Sequence, residues 1–483
     1  MDFSMPQFLI AMPEIFLLSM TCAILLIDAF LPPRLSYLTF LFVELTLIAA
    51  IFITIPQFKN YPISIVTFNG HYVVDELAIT SKLFIYLFSL FSFIYARDYI
   101  KTRDIPQSEY YLLGLLAVLG MSVMVSAYSF LTIFLGLELL SIALYAMVAI
   151  QKHSNLATEA AMKYFVLGAL ASGMFLYGIS ILYGVTGSIE MDGVANVLKN
   201  SQNTVPMLGL IFVLAGLMFK FGAVPFHMWV PDVYQGAGTP TTLFIASAPK
   251  VAAFAITLRI LVQAMPAMQV NWEHLLIIVA VLSMFFGNVL AIVQSNFKRM
   301  LAYSSIAHIG YTLLGIIAGP NSTQGYSAAM FYIFTYVLVA AGAFAIITVM
   351  SQKGVDLDQL DEYRGLNARN PWLAFLMLLL LFSMAGVPPT VGFFAKLGLI
   401  ESLVEANLVW LAVLALIFAL IGAYYYLRVV MLMYFEEPKE GNQALPVFVP
   451  RDMQIALSIN GFAALALGLF PSFLIDLCRI SVG

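Results

Sequence analysis

Lys220 and Lys250 each stand inside an apolar run long enough to cross a bilayer, within the stretch GLIFVLAGLMFKFGAVPFHMWVPDVYQGAGTPTTLFIASAPKVAAFAITLR at 209–259. Both runs are interrupted by prolines, Pro225 and Pro231 in the first, Pro240 and Pro249 in the second. A charged side chain at the centre of a bilayer helix costs about 2.5–3.5 kcal/mol on insertion scales. Proline removes a helical hydrogen bond and clashes with the preceding turn. Charge kept beside broken backbone points to a function that needs it, and discontinuous helices with ionisable groups near the midplane mark ion-translocating proteins. Desolvation favours the neutral form of a lysine, which makes it able to take up and release a proton. The rival reading is a buried pair that only holds helices together.

Further residues fit the same chemistry. Glu138, Ser141 and Tyr145 fall at i, i+3 and i+7, one face of a helix. Lys163 lies about one turn into its run, ahead of the small residues Gly168, Ala171, Ser172 and Gly173, which let membrane helices approach closely. Its plain alternative is a lysine that snorkels to the interface. Lys396 follows the Pro388-Pro389 pair, and the residues before such a pair are pushed away from the α region. His308 sits mid-run, three residues after Ser305, and His227 sits near a run's end, where it either caps or relays. Glu44, midway along the second run, is a weaker candidate, whereas Asp28 and Lys82 lie near ends or stand alone. The first three runs therefore read as framework.

The elements that must position these groups are membrane helices. The 483-residue chain is 62% hydrophobic and only 10% charged, with a mean hydropathy of +0.96; a soluble domain is typically about 25% charged. Runs long enough to span fall at roughly 8–31, 35–55, 77–97, 110–127, 129–150, 161–185, 206–226, 240–264, 275–294, 300–319, 326–350, 371–395, 408–434 and 454–478, which predicts an all-α polytopic membrane protein of about fourteen helices. Short connections leave no room for a soluble domain, and no basic patch suggests nucleic acid. The N-terminus lacks a basic segment, with Asp2 and Glu14 coming first, so no cleaved signal peptide is read. Cys22 and Cys478 are far apart in apolar runs, which suits neither a metal motif nor a disulfide.

Counted from an outer N-terminus, Arg34, Arg97, Lys101, Arg103, Lys152, Lys298, Arg299, Lys353, Arg364, Arg369, Lys439 and Arg451 fall on inside loops. Outside segments hold little beyond Lys59, Lys199 and Arg479. The positive-inside rule then places both termini outside, in keeping with an even number of spans.

The second half echoes the first. Ser141-Ile142-Ala143 recurs at Ser305-Ile306-Ala307, Ala160-Ala161-Met162 at Ala328-Ala329-Met330, and Val224-Pro225 at Val387-Pro388, at offsets of 164, 168 and 163 residues. A near-constant offset signals an internal repeat. It covers five runs, an odd number, so the two copies have opposite membrane orientation, as in many transporters. The expected organisation is framework helices at 1–105, a first repeat at 106–265, a second at 266–435 and a last helix at 436–483. Charge is not kept symmetrically, since Phe331 stands where Lys163 would recur.

The stretches KYFVLGALASGMFLYG, GLMFKFGAVPFHMWVPDVYQGAGTPTTLFIASAPKVAAFA, FKRMLAYSSIAHIGY and LFSMAGVPPTVGFFAKLGLI resemble the antiporter-like membrane subunits of respiratory complex I, NADH:quinone oxidoreductase. Among these the resemblance is to the N (subunit 2) type, in detail over about 70–435. It implies a proton-translocating subunit of two inverted five-helix repeats with broken helices 7 and 12. By motif match Glu138 is the family's glutamate of helix five, Lys220 the lysine of broken helix seven, Lys250 that of helix eight and Lys396 that of broken helix twelve. Lys163 stands where N subunits carry a further lysine. The M type has a glutamate in place of Lys396, and the L type carries a C-terminal lateral helix beyond where this chain ends. The resemblance further implies the bacterial inner membrane as location, with membrane lipid and other complex I subunits as partners, especially M and K. It implies no cofactor in this chain; NADH, FMN, iron–sulfur clusters and quinone belong to partner subunits, and the sequence has no cysteine cluster, dinucleotide fingerprint or haem motif.

Residues and resemblance together predict a line of charge across the midplane, Glu138, Lys163, Lys220, Lys250, His308 and Lys396, with His227 as a further relay. A stand-alone or Mrp-type sodium/proton antiporter is the rival; it would need a hard-cation site rich in oxygen ligands, and this core has more lysines than acids.

Overall fold

A computed structural model describes residues 7–32, 35–61, 64–103, 105–199, 204–351, 356–438 and 449–482. Arg34, Lys353 and Lys439 from the orientation argument, and Asp2, lie outside the described residues. The chain opens with α1 (Met12–Phe30), α2 (Tyr37–Thr54) and the short α3 (Gln57–Asn60), then a hairpin of β1 (Ile65–Thr67) and β2 (Tyr72–Val74). Next come α4 (Glu76–Thr102), α5 (Gln107–Val125), α6 (Phe130–Val148), α7 (Asn155–Thr186) and α8 (Met191–Lys199). The middle of the chain is α9 (Val205–Phe221), α10 (Trp229–Gly236), α11 (Thr239–Ala246), α12 (Ala248–Arg259), α13 (Gln269–Ile292), α14 (Phe297–Ala318) and α15 (Gly325–Met350). It ends with α16 (Leu366–Arg369), α17 (Pro371–Ala385), α18 (Val391–Glu405), α19 (Val409–Phe435), α20 (Arg451–Leu469) and α21 (Ser472–Val482).

Among the described residues, twelve helices are long and apolar enough to cross a membrane, counting α11 and α12 as one. The remaining apolar helices, α9 of 17 residues and α17 of 15, are shorter. Each stops at a break and is continued by a second helix, α10 or α18. The expected run at 371–395 is thus α17 plus the start of α18, which continues to Glu405. The run at 454–478 is also two helices, because Phe470 leaves helical geometry (φ −129°, ψ 64°) and Pro471 follows it. The hairpin was not expected, being only three residues on each strand.

Helix starts follow from side chains that accept the orphan amides of a first turn. Asp75 accepts from Ala78, Ser129 from Thr132, Ser154 from Ala157, Asn296 from Arg299 and Asn370 from Leu373. The two breaks end alike. Gly222 adopts φ 75° after α9, and Gly386 adopts φ 85° after α17. The amide of Ala223 returns to the Met218 carbonyl and that of Val387 to the Phe382 carbonyl, each at 2.9 Å. This is a Schellman closure, which needs a left-handed residue that only glycine adopts freely.

Helices α11, α12, α14 and α15 are almost entirely buried and form the centre, while α1, α2, α7, α13, α19 and α20 leave much of their apolar surface exposed around the rim. The helices carrying Lys250 and His308 are thus the central ones. Lys82 does not stand alone as its sequence position suggested. Fully buried in α4, it meets Glu14 of α1 at 2.6 Å, and Tyr72 and Ser122 each donate to Glu14 at 2.7 Å.

Candidate functional site

The break after α9 fixes Lys220 one residue before the helix end. Its Nζ donates to Ser141 Oγ of α6 at 2.6 Å and lies 5.9 Å from the Tyr145 ring centre. Gly168 of α7 makes the room for this, since a Cβ there would collide with the Tyr145 hydroxyl. Glu138 shares that α6 face and acts on Lys220 electrostatically. The two do not form an ion pair; Ser141 takes the lysine, and Glu138 Oε1 is buried with no hydrogen-bond partner. The break's own polar groups are satisfied: Trp229 Nε1 donates to the Phe219 carbonyl and the Val224 amide to Ser283 Oγ, both at 2.9 Å.

Lys250 is 3% exposed, in the first turn of α12 after a kink at Ser247 (φ −111°, ψ −105°). Its Nζ donates to Ser305 Oγ of α14 and lies 5.7 Å from the Tyr336 ring centre. One turn along α14, His308 stacks on that same Tyr336 ring at 4.6 Å. Its Nδ1 pairs with the Tyr332 hydroxyl at 2.7 Å and its Nε2 with the Tyr426 hydroxyl at 3.0 Å. Tyr426 is in turn bonded to Ser304. A cavity lined by His308, Tyr332, Tyr336, Ser383 and Lys396 completes the line. Lys396 Nζ donates to the carbonyls of Met384 and Ala385 at 3.0 and 2.8 Å. These are the last carbonyls of α17, left without helical partners by the break and carrying the negative end of its dipole. One broken helix therefore makes the cradle for the lysine of its own continuation.

Sequence reasoning missed Tyr332, Tyr336 and Tyr426. Tyr332 and Tyr336 stand at i and i+4 on α15, one face, opposite Ser305 and His308 at i and i+3 on α14; that paired spacing was the available signal.

The structure takes Lys163 out of the buried line. Its side chain is 42% exposed, held by Asp232 Oδ2 and Glu159 Oε1, each at 2.7 Å, and Asp232 also binds Arg299 at 2.7 Å. The cause is rotation: Lys163 lies on the outer side of α7 near the exposed Met162 and Val166, while Ala161 and Tyr164 take the buried side. His227 lies in the broken segment, half-buried, with Nδ1 unpartnered and its carbonyl accepting from the Val230 amide at 2.9 Å. Glu44 is buried in α2 with Oε1 unpartnered, away from the line. Among the described residues, no group of three or more His, Cys, Asp or Glu side chains could hold a metal ion.

Lysines cradled beside two broken helices in an all-helical membrane bundle define an antiporter-like membrane subunit. A family model described as NADH:quinone oxidoreductase/Mrp antiporter, TM, matches residues 127–422. Curated relatives are narrower in kind. The chain is 50% identical over 480 residues to NADH-quinone oxidoreductase subunit N of Thioalkalivibrio sulfidiphilus, covering 99% of this chain and 98% of that one. It is 51% identical over 485 residues to the subunit N of Thiobacillus denitrificans, covering 100% and 99%. This chain belongs to the NADH-quinone oxidoreductase subunit N family. A chain of respiratory complex I from Thermus thermophilus with bound aureothin superposes with a TM-score of 0.81 at 33% identity, over 96% of this chain and 98% of that chain. A chain of the Mrp complex from Dietzia shares the fold, with a TM-score of 0.84 at 19% identity over 99% and 97%.

Proposed function

We propose that this chain moves protons across the membrane as subunit N of NADH-quinone oxidoreductase, driven by quinone reduction on other subunits. The observation that carries this is the buried line from Lys250 through Ser305 and Tyr336 to His308 and on to Lys396. Each step offers a group that both accepts and donates a proton, in a place where an idle lysine would only destabilise the helix. Glu138 and Lys220 are the first-half switch. Approach of Glu138 holds the proton on Lys220, and separation releases it toward Lys250. Moving one charge against 100 mV takes about 2.3 kcal/mol, within reach of such a change in pairing.

Counting each broken pair as one crossing gives fourteen crossings, with 106–265 and 266–435 as inverted repeats and 1–105 and 436–483 outside them. The matching Schellman closures at Gly222 and Gly386 support the repeat. Both termini then face the outer side of a bacterial inner membrane. Neighbouring antiporter-like and small membrane subunits, of M and K type, are the partners that deliver the driving change. NADH, FMN, iron–sulfur clusters and quinone sit on partner subunits. The second reading, a sodium/proton antiporter subunit, has the shared fold with the Mrp chain in its favour. The basic character of the buried line speaks against it, since a hard cation needs oxygen ligands.

The test is proton pumping normalised to assembled complex. Glu138→Gln with Lys220→Met keeps shape without charge; it should assemble and not pump through this subunit. Wild-type pumping by that double variant would make the pair structural.

A further inference from the structure

Behind His308, on the side away from Lys396, lies a hydroxyl cluster that the buried line does not use. Tyr332 lines the cavity shared by His308 and Lys396, and Tyr426 does not. His308 thus turns Nδ1, bonded to Tyr332, toward the cavity, and Nε2, bonded to Tyr426, away from it. Tyr426 bonds Ser304, and Tyr425, whose ring centre is 4.3 Å from that of Tyr426, shares hydrogen bonds with both hydroxyls. The cluster ends at Asn288 of α13. Tyr425 donates to Asn288 Oδ1 at 3.1 Å, and Asn288 Nδ2 donates to the Met284 carbonyl at 2.8 Å. Gly422 of α19 leaves room for this, since a Cβ there would lie 2.7 Å from Asn288 Oδ1. Asn288, Ser304, Tyr425 and Tyr426 are all buried.

Donor and acceptor roles follow from the two ends of the cluster. A carbonyl accepts only from the amide nitrogen, so Met284 fixes the Asn288 amide and leaves Oδ1 as a pure acceptor. Tyr425 gives its one hydrogen to Oδ1, and its oxygen can then only accept. Tyr426 is thereby drawn to donate toward Tyr425 and keeps a lone pair for His308 Nε2. At the other end, the Tyr332 hydroxyl has no partner but His308 among the hydrogen bonds of the described residues. A buried donor left without an acceptor is costly, so Tyr332 donates to Nδ1. Both ends put the imidazole hydrogen on Nε2.

We propose that Asn288 is a positioning residue for proton transfer: through Tyr425 and Tyr426 it holds neutral His308 with its hydrogen on Nε2, so that Nδ1, on the cavity side, takes up and releases the proton. The proposal rests on the reading of His308 as a proton carrier. Uptake adds a proton to the Nδ1 lone pair and gives the imidazolium, with Tyr332 turning its hydroxyl hydrogen aside. Release returns the same tautomer. In a reversed chain Tyr426 would donate to Nε2, and the hydrogen would sit on Nδ1, where it blocks uptake from the cavity.

The test uses whole complex in sealed liposomes, measuring protons moved per NADH oxidised and per assembled complex. His308→Gln marks the share of that ratio that depends on His308. Asn288→Leu is of similar size and removes the acceptor; it should lose most of that share. Asn288→Asp should restore it, because a carboxylic acid offers an acceptor oxygen to Tyr425 and a hydroxyl donor to the Met284 carbonyl. Tyr425→Phe cuts the chain without touching Asn288 and should match Asn288→Leu; it decides alone if Asn288→Leu does not assemble. Adding Asn288→Leu to His308→Gln should lower the ratio no further, which a merely structural role would not produce. A wild-type ratio for Asn288→Leu or Tyr425→Phe overturns the proposal. So does an Asn288→Asp as low as Asn288→Leu, or a further fall in the His308→Gln background. A wild-type ratio for His308→Gln would instead remove the reading on which the proposal rests.

Discussion

The two ion-paired lysines outside the buried line call for opposite experiments, because exposure decides what a pair contributes. Lys163 is 42% exposed between Glu159 and Asp232, and exposed pairs contribute about 0–1 kcal/mol. Lys163→Ala should therefore leave the complex assembled at its normal level. Pumping per assembled complex should also stay at the wild-type level, since Lys163 lies outside the buried line; a fall that Lys163→Arg reverses would return it to the proton path, and loss of assembly would place it in a structural role. The Lys82–Glu14 pair is sealed, with side chains 0% and 9% exposed. Removing one partner of such a pair typically costs about 3–5 kcal/mol, since the survivor stays buried and uncompensated. Lys82→Met should sharply reduce the amount of assembled complex on native gels. Adding Glu14→Gln should recover most of it, and failure to recover would mean the pair does more than compensate charge.

Among the elements, the broken helices carry the chemistry through their ends. A Cβ on Gly386 would lie 2.9 Å from Lys396 Cδ, and the residue sits at φ 85°. Gly386→Ala thus adds about 1–2 kcal/mol of backbone strain and also pushes Lys396 off its carbonyl cradle. Gly187 ends α7 at φ 70° with no atom within 4 Å of its Cβ position, so Gly187→Ala adds only the strain. Pumping per complex should drop in the first variant and not in the second; equal effects would show that strain alone matters. The start of α4 gives a pH prediction. Burial by itself would raise the Asp75 carboxyl, but Arg259 beside it and the Ala78 amide hold it below its usual value. A carboxyl depressed on folding stabilises the fold above the unfolded value of about 3.9. That contribution disappears as pH falls through the lower folded value. Asp75→Asn should lower the melting temperature of the detergent-solubilised complex at neutral pH, with the gap from wild type narrowing on acidification below that range. A gap independent of pH would separate the loss from the carboxylate's charge.

For the molecule as a whole, membrane orientation tests the proposed inverted repeat, whose two copies would cross the membrane in opposite directions. Cysteines introduced beside Lys199 and Glu273 should label from outside with a membrane-impermeant reagent, and those beside Arg103 and Arg299 only from inside. The reverse pattern would invert the topology.

Hydropathy is a local property, so the sequence by itself determined the membrane class, nearly every span and the two proline-marked breaks. It also singled out Lys220, Lys250, His308 and Lys396, because a charge inside an apolar run is conspicuous whatever surrounds it. Helix rotation was not legible, for these helices are apolar all round and offer no polar stripe to orient them. Only packing decided that Lys163 on α7 faces away from the line while Lys250 on α12 faces Ser305. Contacts between distant positions were equally hidden. Glu14 with Lys82, Asp75 with Arg259 and His308 with Tyr426 each join helices far apart in the chain. No spacing rule links such residues; only the tertiary packing brings α1 to α4, the start of α4 to α12, and α14 to α19.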